Sequence, residues 1–375
     1  MIATLFASSC RESAAQARND NRLTVSLWDV KDQHFYEHMF HPDKGWIGGD
    51  GAGSVLLSQG RILWLFGDSL YGRIVHERRL IQSMVNNSIA IQSGLNPQDA
   101  QLSFFPVVTI NHSKAFVTPK HGKGWFWLSQ GAIRNRRGLF LFMPKIEGTS
   151  GSNGWNFQMT GMVLGKVSNP DANPSHWMMK QTTVPFSRSD ASGKGLSFGV
   201  SVIQVGSWTY IYGLDYEKKS GRRCLLLARI RSENLGNFSS WEFLCDGHWS
   251  PNFMKASPLC DHLGAECSVS WLASISRYVL ICTENGLSDK IIMRCAPSPS
   301  GPWSDAKTVY RTPKSGPRRD TFCYAAKAHP ELSQRDDELI ISYVCNTTDP
   351  GLLVSDPGIY VPKFIRVKFR SSSIH

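Results

Sequence analysis

The sequence predicts an all-β fold, and three observations carry that expectation. Apolar, β-branched runs come in pairs around short turns, the mark of antiparallel hairpins. The pairs recur along the chain at fairly even intervals. No segment shows a long apolar stripe at the 3.6-residue period of an amphipathic helix.

Residues 1–21 are expected to be disordered or the residue of a signal or lipoprotein segment. They open MIATLFASSC, which places Ala7, Ser8 and Ser9 before Cys10 without a positive leading region. Residues 22–375 are expected to form one domain. The run LTVSLW at 23–28 reads as a strand. The stretch 45–88 then supplies the first hairpin: strands at 54–57 and 62–66 flank a turn through Gly60, and an outer strand follows at 88–92. Asp50 lies just before the first of these strands and Asp68 just after the second. Antiparallel pairing brings those two positions to one edge. Glycines 48, 49, 51, 53 and 67 crowd the aspartates and allow close approach of backbone or ligand. Both aspartates would serve equally well as turn caps.

The hairpin pattern returns near 127–147, 198–216, 265–285 and 324–346. A further β-like run follows each: MTGMVLGKV, RRCLLLARI, KIIMRCA and KFIRVKF. Units spaced by roughly 60 to 80 residues suit radial repetition, which leaves only short, protected sheet edges. The five units point to a five-bladed β-propeller. Closure is expected where the strand at 23–28 lies beside 363–369 in the last blade. Two separate β-sandwiches are the competing arrangement.

Composition bounds the function. At 375 residues, 41% hydrophobic and 11% aromatic, the chain has the make-up of a folded protein with a large core. No run approaches the length of a transmembrane helix. A net charge of +11 suits nucleic acid or an anionic glycan. However, the Lys and Arg residues are scattered, and no recognition-helix or zinc-finger pattern occurs, so no nucleic-acid partner is expected. The nine cysteines include no CxxC pair, and several sit in apolar strand-like runs. Buried free thiols are the simplest reading, with pairing open if the protein is exported.

In a propeller, the first strand of each blade lines a central channel. Residues before that strand, or after the second, therefore fall on one face. The first kind of position holds Asp50, Gln130, Gly199, Glu266 and Lys327. The second holds Asp68, Glu147, Asp215, Glu284 and Asn346. Asp50 and Glu266 come from blades one and four and can face each other across the mouth. Two opposed carboxylates suit glycoside hydrolysis, in which one protonates the leaving oxygen and the other acts as base or nucleophile. Asp50 is the expected base or nucleophile, Glu266 the general acid, and Asp68 a modulating or orienting group. Trp46, Trp125, Trp127 and Tyr324 flank the inferred mouth as surfaces on which a sugar can stack. Asn87, Gln130, Asp215, Arg294, Lys327 and His329 are candidate substrate contacts. Each is equally readable as a structural residue.

The ordered set GWIGGDGAGSVLL, LWLFGDSLYG, MVNNSIAIQ, AECSVSW, RCAPSPSGPWS, YAAKAHPELS and ELIISYVCN covers 45–346. It resembles a domain-of-unknown-function family of five-bladed propellers, some of whose members are endo-acting D-arabinanases. That family is similar in architecture to the arabinanase, xylosidase and invertase propellers. The resemblance implies that Asp50 is the first-blade catalytic aspartate and Glu266 the acid on a later blade. It places His329 where related propellers hold a channel ion or water, so a channel calcium ion is the one cofactor left open. It also exposes a departure. Relatives carry a third carboxylate on blade two in a W-P-G-D-G stretch, whereas this chain reads WLSQG, with Gln130 in that place. The third carboxylate is then either missing or supplied by Asp68.

The implied activity is furanosidase-type hydrolysis of an arabinan-like polysaccharide or oligosaccharide. The implied setting is a secreted, periplasmic or envelope-anchored monomer. A non-catalytic glycan-binding propeller is the alternative. A third reading takes Gly67-Asp68-Ser69-Leu70 as the motif of GDSL-type esterases with Ser69 as nucleophile, yet no histidine has Asp three residues before it. Dispersed histidines give no zinc-enzyme spacing, and no metal ligands are assigned.

Overall fold

The structure is a computed structural model that describes residues 25–106, 114–128, 131–149, 156–190, 193–217, 219–313 and 320–371. Gln130 and residues 1–21, both singled out above, lie outside the described residues.

The second strand of each hairpin explains the architecture. Arg61–Phe66 reads RILWLF, apolar at nearly every position. A strand of that kind must be covered on both faces. Its side chains alternate: Ile62, Trp64 and Phe66 pack into one cluster, and Leu63 and Leu65 into another. Gly138–Gly148 does the same, with Leu139 and Leu141 on one side and Phe140 and Phe142 on the other.

Five sheets arise in this way. Blade one runs Gly53–Leu56, Arg61–Phe66, Ser88–Ser93, Gln101–Phe105. Blade two runs Ala132–Asn135, Gly138–Gly148, Phe157–Val167, Met179–Val184. Blade three is built on Lys194–Val205, Trp208–Glu217, Arg222–Arg231 and Glu242–Cys245. Blade four is Cys267–Leu272, Arg277–Thr283, Lys290–Ala296, Lys307–Arg311. Blade five is Thr321–Ala328, Glu338–Thr347, Pro362–Ser371, completed by Val25–Asp32. One hydrophobic cluster fills each gap: one to two, two to three, three to four, four to five, and five back to one. The ring closes, which rules out two separate sandwiches and makes this a five-bladed β-propeller. The amino-terminal strand seals it as expected, with Leu27 opposite Phe369, although it runs on to Asp32 rather than ending at residue 28.

The inner strands have an unpaired edge at the channel, and neighbouring blades satisfy it. Gly131 N–H donates to Gly199 O at 2.8 Å. Val269 N–H donates to Ser201 Oγ at 2.9 Å, and Ala328 N–H to Ser268 Oγ at 2.7 Å.

Two features escaped the sequence reading. A small sheet of Lys44–Gly49, Ser69–Val75 and Arg78–Val85 branches off blade one. Its strands end beside Asp50, Asp68 and Asn86. Arg79 anchors it: the side chain is 1% exposed and donates to five backbone carbonyls, Ile47 (3.0 Å), Leu353 (2.7 Å), Asp356 (3.1 Å), Pro357 (2.9 Å) and Ile359. Arg79→Met strands those acceptors without donors and is expected to lower stability by about 3 kcal/mol or more. Urea denaturation measures this, and a loss below about 1 kcal/mol would show that water replaces the guanidinium. The second feature resolves the two alternatives left open for the cysteines, free thiols or pairing. Cys323 and Cys345 oppose each other across blade five, 4.0 Å apart at Cα, and form a disulfide. Cys224, Cys245, Cys260, Cys267, Cys282 and Cys295 are free. Among the described residues, no helix is long and apolar enough to cross a membrane.

Candidate active site

The hairpin of blade one delivers its two aspartates to one edge, as the antiparallel pairing requires. Asp50 N–H donates to Asp68 O at 3.3 Å, and Gly67 N–H to Asp50 O at 2.9 Å. Each carboxylate has its own donors. Tyr324 Oη donates to Asp50 Oδ2 at 2.8 Å, and Asn346 Nδ2 donates to the same phenol oxygen at 3.4 Å. Asp68 Oδ1 accepts from Trp127 Nε1 at 3.0 Å and Asn86 Nδ2 at 3.2 Å. Tyr360 Oη donates to the backbone oxygen of Asp68 at 3.0 Å. Asp50, Asp68, Glu266, Tyr324, Trp127, Asn86 and Asn346 are all half-buried.

Strand irregularities aim these groups. Residues 324 and 327 should face opposite sides of a regular strand. The pairing shifts between Tyr324, opposite Val344, and Lys327, opposite Ser342. Two residues, Ala325 and Ala326, bulge there, with Ala325 in the left-handed region at φ 57°. A bulge restores the same side to residues three apart. Tyr324 thus reaches Asp50, while Lys327 acts on Glu266.

Electrostatics couple the three carboxylates. Burial pushes Asp50 well above the usual carboxylate range, and the neighbouring charges of Asp68 and, more weakly, Glu266 push it further; the Tyr324 hydrogen bond opposes them. Burial also raises Asp68, against the pull of Trp127 and Asn86. Glu266 is raised by burial and drawn back by Lys327 and Arg223. Two buried acids with one shared environment do not both ionise readily. The N–H donors to Asp68 and the phenol donor to Asp50 both oppose the effect of burial, and the charge of Asp68 adds to the rise at Asp50.

The model of the family described as "Domain of unknown function (DUF5005)" matches residues 32–369. The chain belongs to the DUF5005 family. Among solved structures, this DUF5005 propeller is similar to a protein of Bacteroides ovatus ATCC 8483, provisionally named a hydrolase, at TM-score 0.70 and 22% identity over 92% of this chain and 94% of that one. That likeness shows the shared fold. Weaker similarities reach a thermostable family-43 glycoside hydrolase (TM-score 0.43, 12% identity, 89% and 96% covered). They also reach a GH43_1 enzyme of Xanthomonas citri complexed with xylotriose (TM-score 0.45, 11% identity, 88% and 91% covered). No protein of curated function matches the chain.

Several residues expected at the mouth of the DUF5005 chain belong elsewhere. Trp46 is no sugar platform: it is 1% exposed and stacks on Phe104 with centroids 4.8 Å apart. Trp125 lies on a two-residue strand paired with Lys145 and Ile146. Asn87 is fully buried and spends its amide on Val117 O, Phe126 O and Val117 N–H. The mouth residue is its neighbour, Asn86. Arg294 is buried in blade four, donating to Ser304 O at 2.8 Å and Asp261 O at 3.1 Å. His329 is fully buried, with Nδ1 on Ser54 and Nε2 on Ser342 (2.7 Å), and burial pushes its pKa down to about 3. Lys327 is buried as well, and its charge bears on Glu266. Asp215 pairs with Arg222 at 3.1 Å, Glu147 with Lys145 at 3.0 Å and Glu284 with Lys290 at 2.8 Å.

Both ring nitrogens of His329 are engaged by serine hydroxyls. Among the described residues, no three His, Cys, Asp or Glu side chains converge to hold a metal ion. Ser69 fails as an esterase nucleophile: it is fully buried, and its hydroxyl bonds Gly67 O (3.0 Å) and Ser88 Oγ (2.7 Å) rather than a histidine. Tyr360, Asn86 and the Asn346–Tyr324 relay are the site residues that sequence reasoning missed or left unassigned.

Proposed function

We propose that this protein is a glycoside hydrolase of furanosidase type, acting on an arabinan-like or related polysaccharide. The observation that carries the reading is the half-buried Asp50–Asp68 pair, fixed by Tyr324, Trp127 and Asn86, within electrostatic reach of Glu266. Glycoside hydrolysis needs one carboxyl that holds a proton and one carboxylate that attacks or activates water. Glu266 is assigned the acid role from its place on the later blade; burial favours its neutral form, as it does that of Asp50. Asp50 serves as base or nucleophile once its proton is lost. Asp68 supplies the third carboxylate from blade one, beside Asp50, which makes the Gln130 departure on blade two tolerable. The disulfide in blade five supports an oxidising setting, hence a secreted, periplasmic or envelope-anchored protein.

The test is reducing-end release from a panel of furanose and pyranose polysaccharides, with binding to the same panel measured in parallel. Release from at least one furanose polymer is the expected result. Binding without release from any polymer would make this a glycan-binding propeller and overturn the catalytic reading.

The coupling of the two aspartates gives a pH signature. The charge on Asp68 raises the proton affinity of Asp50. If Asp50 must ionise to act, kcat/KM rises with pH through a midpoint above the ordinary carboxylate range. Asp68→Asn removes that charge and is expected to move this acid limb to lower pH. An acid limb unchanged in Asp68→Asn would mean that Asp50 does not set it.

A further inference from the structure

The strand that carries Tyr324 is poorly held by its ladder. It is the first strand of blade five, so it has a paired neighbour on one side only. The bulge at Ala325 and Ala326 cuts it in two. Before the bulge, only Thr321, Phe322, Cys323 and Tyr324 remain in register, opposite Thr347, Asn346, Cys345 and Val344. A four-residue edge segment of this kind opens easily. The Cys323–Cys345 disulfide bridges the middle of it.

Alternation sets the cysteines back to back with the site. Cys323 and Cys345 point into the cluster between blades four and five. Their chain neighbours Tyr324 and Asn346 lie on the other side, joined to each other and to Asp50. A third link leaves from Cys345: its carbonyl accepts the N–H of Tyr360 at 2.8 Å. Tyr360 takes up the left-handed conformation at φ 61°, uncommon for a residue of its bulk. Its carbonyl accepts from Gly49 N–H at 2.8 Å, and its phenol reaches Asp68 O. Strain at a site persists only where the surroundings over-determine it.

We infer that the Cys323–Cys345 disulfide is a positioning element of the carboxylate site, locking the strand end that seats Tyr324 on Asp50 to the neighbouring strand end that anchors Tyr360 beside Asp68. Tyr324, Asn346 and Tyr360 are positioning residues in the same device. The consequence for turnover rests on the proposed function, but the geometry is testable without any substrate.

The experiment is a two-by-two comparison of wild type, Tyr324→Phe, the disulfide-free pair Cys323→Ser/Cys345→Ser, and all three substitutions together. The carboxyl titration of Asp50 is followed by 13C NMR in the free protein. The phenol's hydrogen bond lowers the Asp50 midpoint, so Tyr324→Phe should raise it by about one unit. The disulfide-free protein should show a rise in the same direction. The combined variant should show no more than the larger single effect, because the phenol has already left. A folded disulfide-free protein that titrates like wild type, or two effects that add in full, would overturn the inference. If the serine pair does not fold, native protein reduced with a phosphine and capped with iodoacetamide replaces it in the same comparison. Peptide mapping without reductant that recovers Cys323 and Cys345 as free thiols would also overturn it. A protein that cleaves no glycan yet shows the coupling refutes the proposed function and keeps this inference.

Discussion

Asp50→Asn is expected to lower turnover by about a thousandfold or more and, at neutral pH, to raise the melting temperature. The loss follows from the proposed role of Asp50 in attacking or activating water, a role with an effect on the order of 100- to 10,000-fold. The gain follows from linkage. The folded protein raises the pKa of Asp50 above its unfolded value, chiefly by burial and then by the charge of Asp68. The fold therefore favours the protonated acid. Its contribution is fully present below the unfolded value and is lost as pH climbs through the raised one. Asparagine has the shape of the neutral acid and cannot ionise, so it keeps the acceptor for Tyr324 and removes that loss. Glu266→Gln should follow the same pattern, because burial raises Glu266 too. The paired measurement is kcat together with thermal unfolding between pH 4 and about 8. A variant that loses activity and stability together would indicate that Asp50 is structural.

Gly67→Ala is expected to cost about a hundredfold in kcat with the propeller intact. Gly67 is the residue before Asp68, and a Cβ placed on it falls 2.4 Å from Asp50 Oδ1. Carbon and oxygen cannot share that space, so the carboxylate must swing away, and the Tyr324 hydrogen bond goes with it. A displacement of about 1 Å at a reacting group is worth about a hundredfold. The nearest atom outside Asp50, Trp127 Cδ1, lies at 3.6 Å, an ordinary contact, so the clash is confined to Asp50. Kinetics beside the Asp50 titration check the prediction. Wild-type turnover in Gly67→Ala would mean that the observed position of Asp50 is not the one used in the reaction.

The fold was largely legible in the sequence because each blade writes its own pattern. A run such as RILWLF is apolar throughout because a neighbouring blade covers each face, and its recurrence counts the blades. Ring closure by an amino-terminal strand, expected at 23–28 and observed at Val25–Asp32, was legible for a related reason, since the last blade lacks an outer strand of its own in sequence order. Asp50 and Asp68 were found because a hairpin fixes its own edge. Failures came where backbone irregularity breaks that arithmetic. The bulge after Tyr324 changes which residues share a side, so no spacing rule places Tyr324 and Lys327 together. Asn86 and Asn87 are adjacent and chemically identical, and only the paths of the flanking strands decide which meets Asp68. Tyr360 sits in a connection whose left-handed residue carries no sequence signal. Trp46 and Arg294 have chemistry suited to a sugar, yet the core needed a large ring and blade four a multiple donor. In a protein with 12 Trp and 41 Lys or Arg, residue type alone selects few positions.

In the proposed reaction Asp50 and Glu266 together cleave a glycosidic bond. The most direct test takes the polysaccharide on which wild type releases most reducing ends and compares wild type, Asp50→Asn and Glu266→Gln on it, each shown to be folded and to bind that polymer. Release is expected from wild type alone, with binding retained in all three. Release that survives in either variant at more than about a tenth of the wild-type rate would contradict it, because neither carboxylate can be spared in a two-carboxylate mechanism.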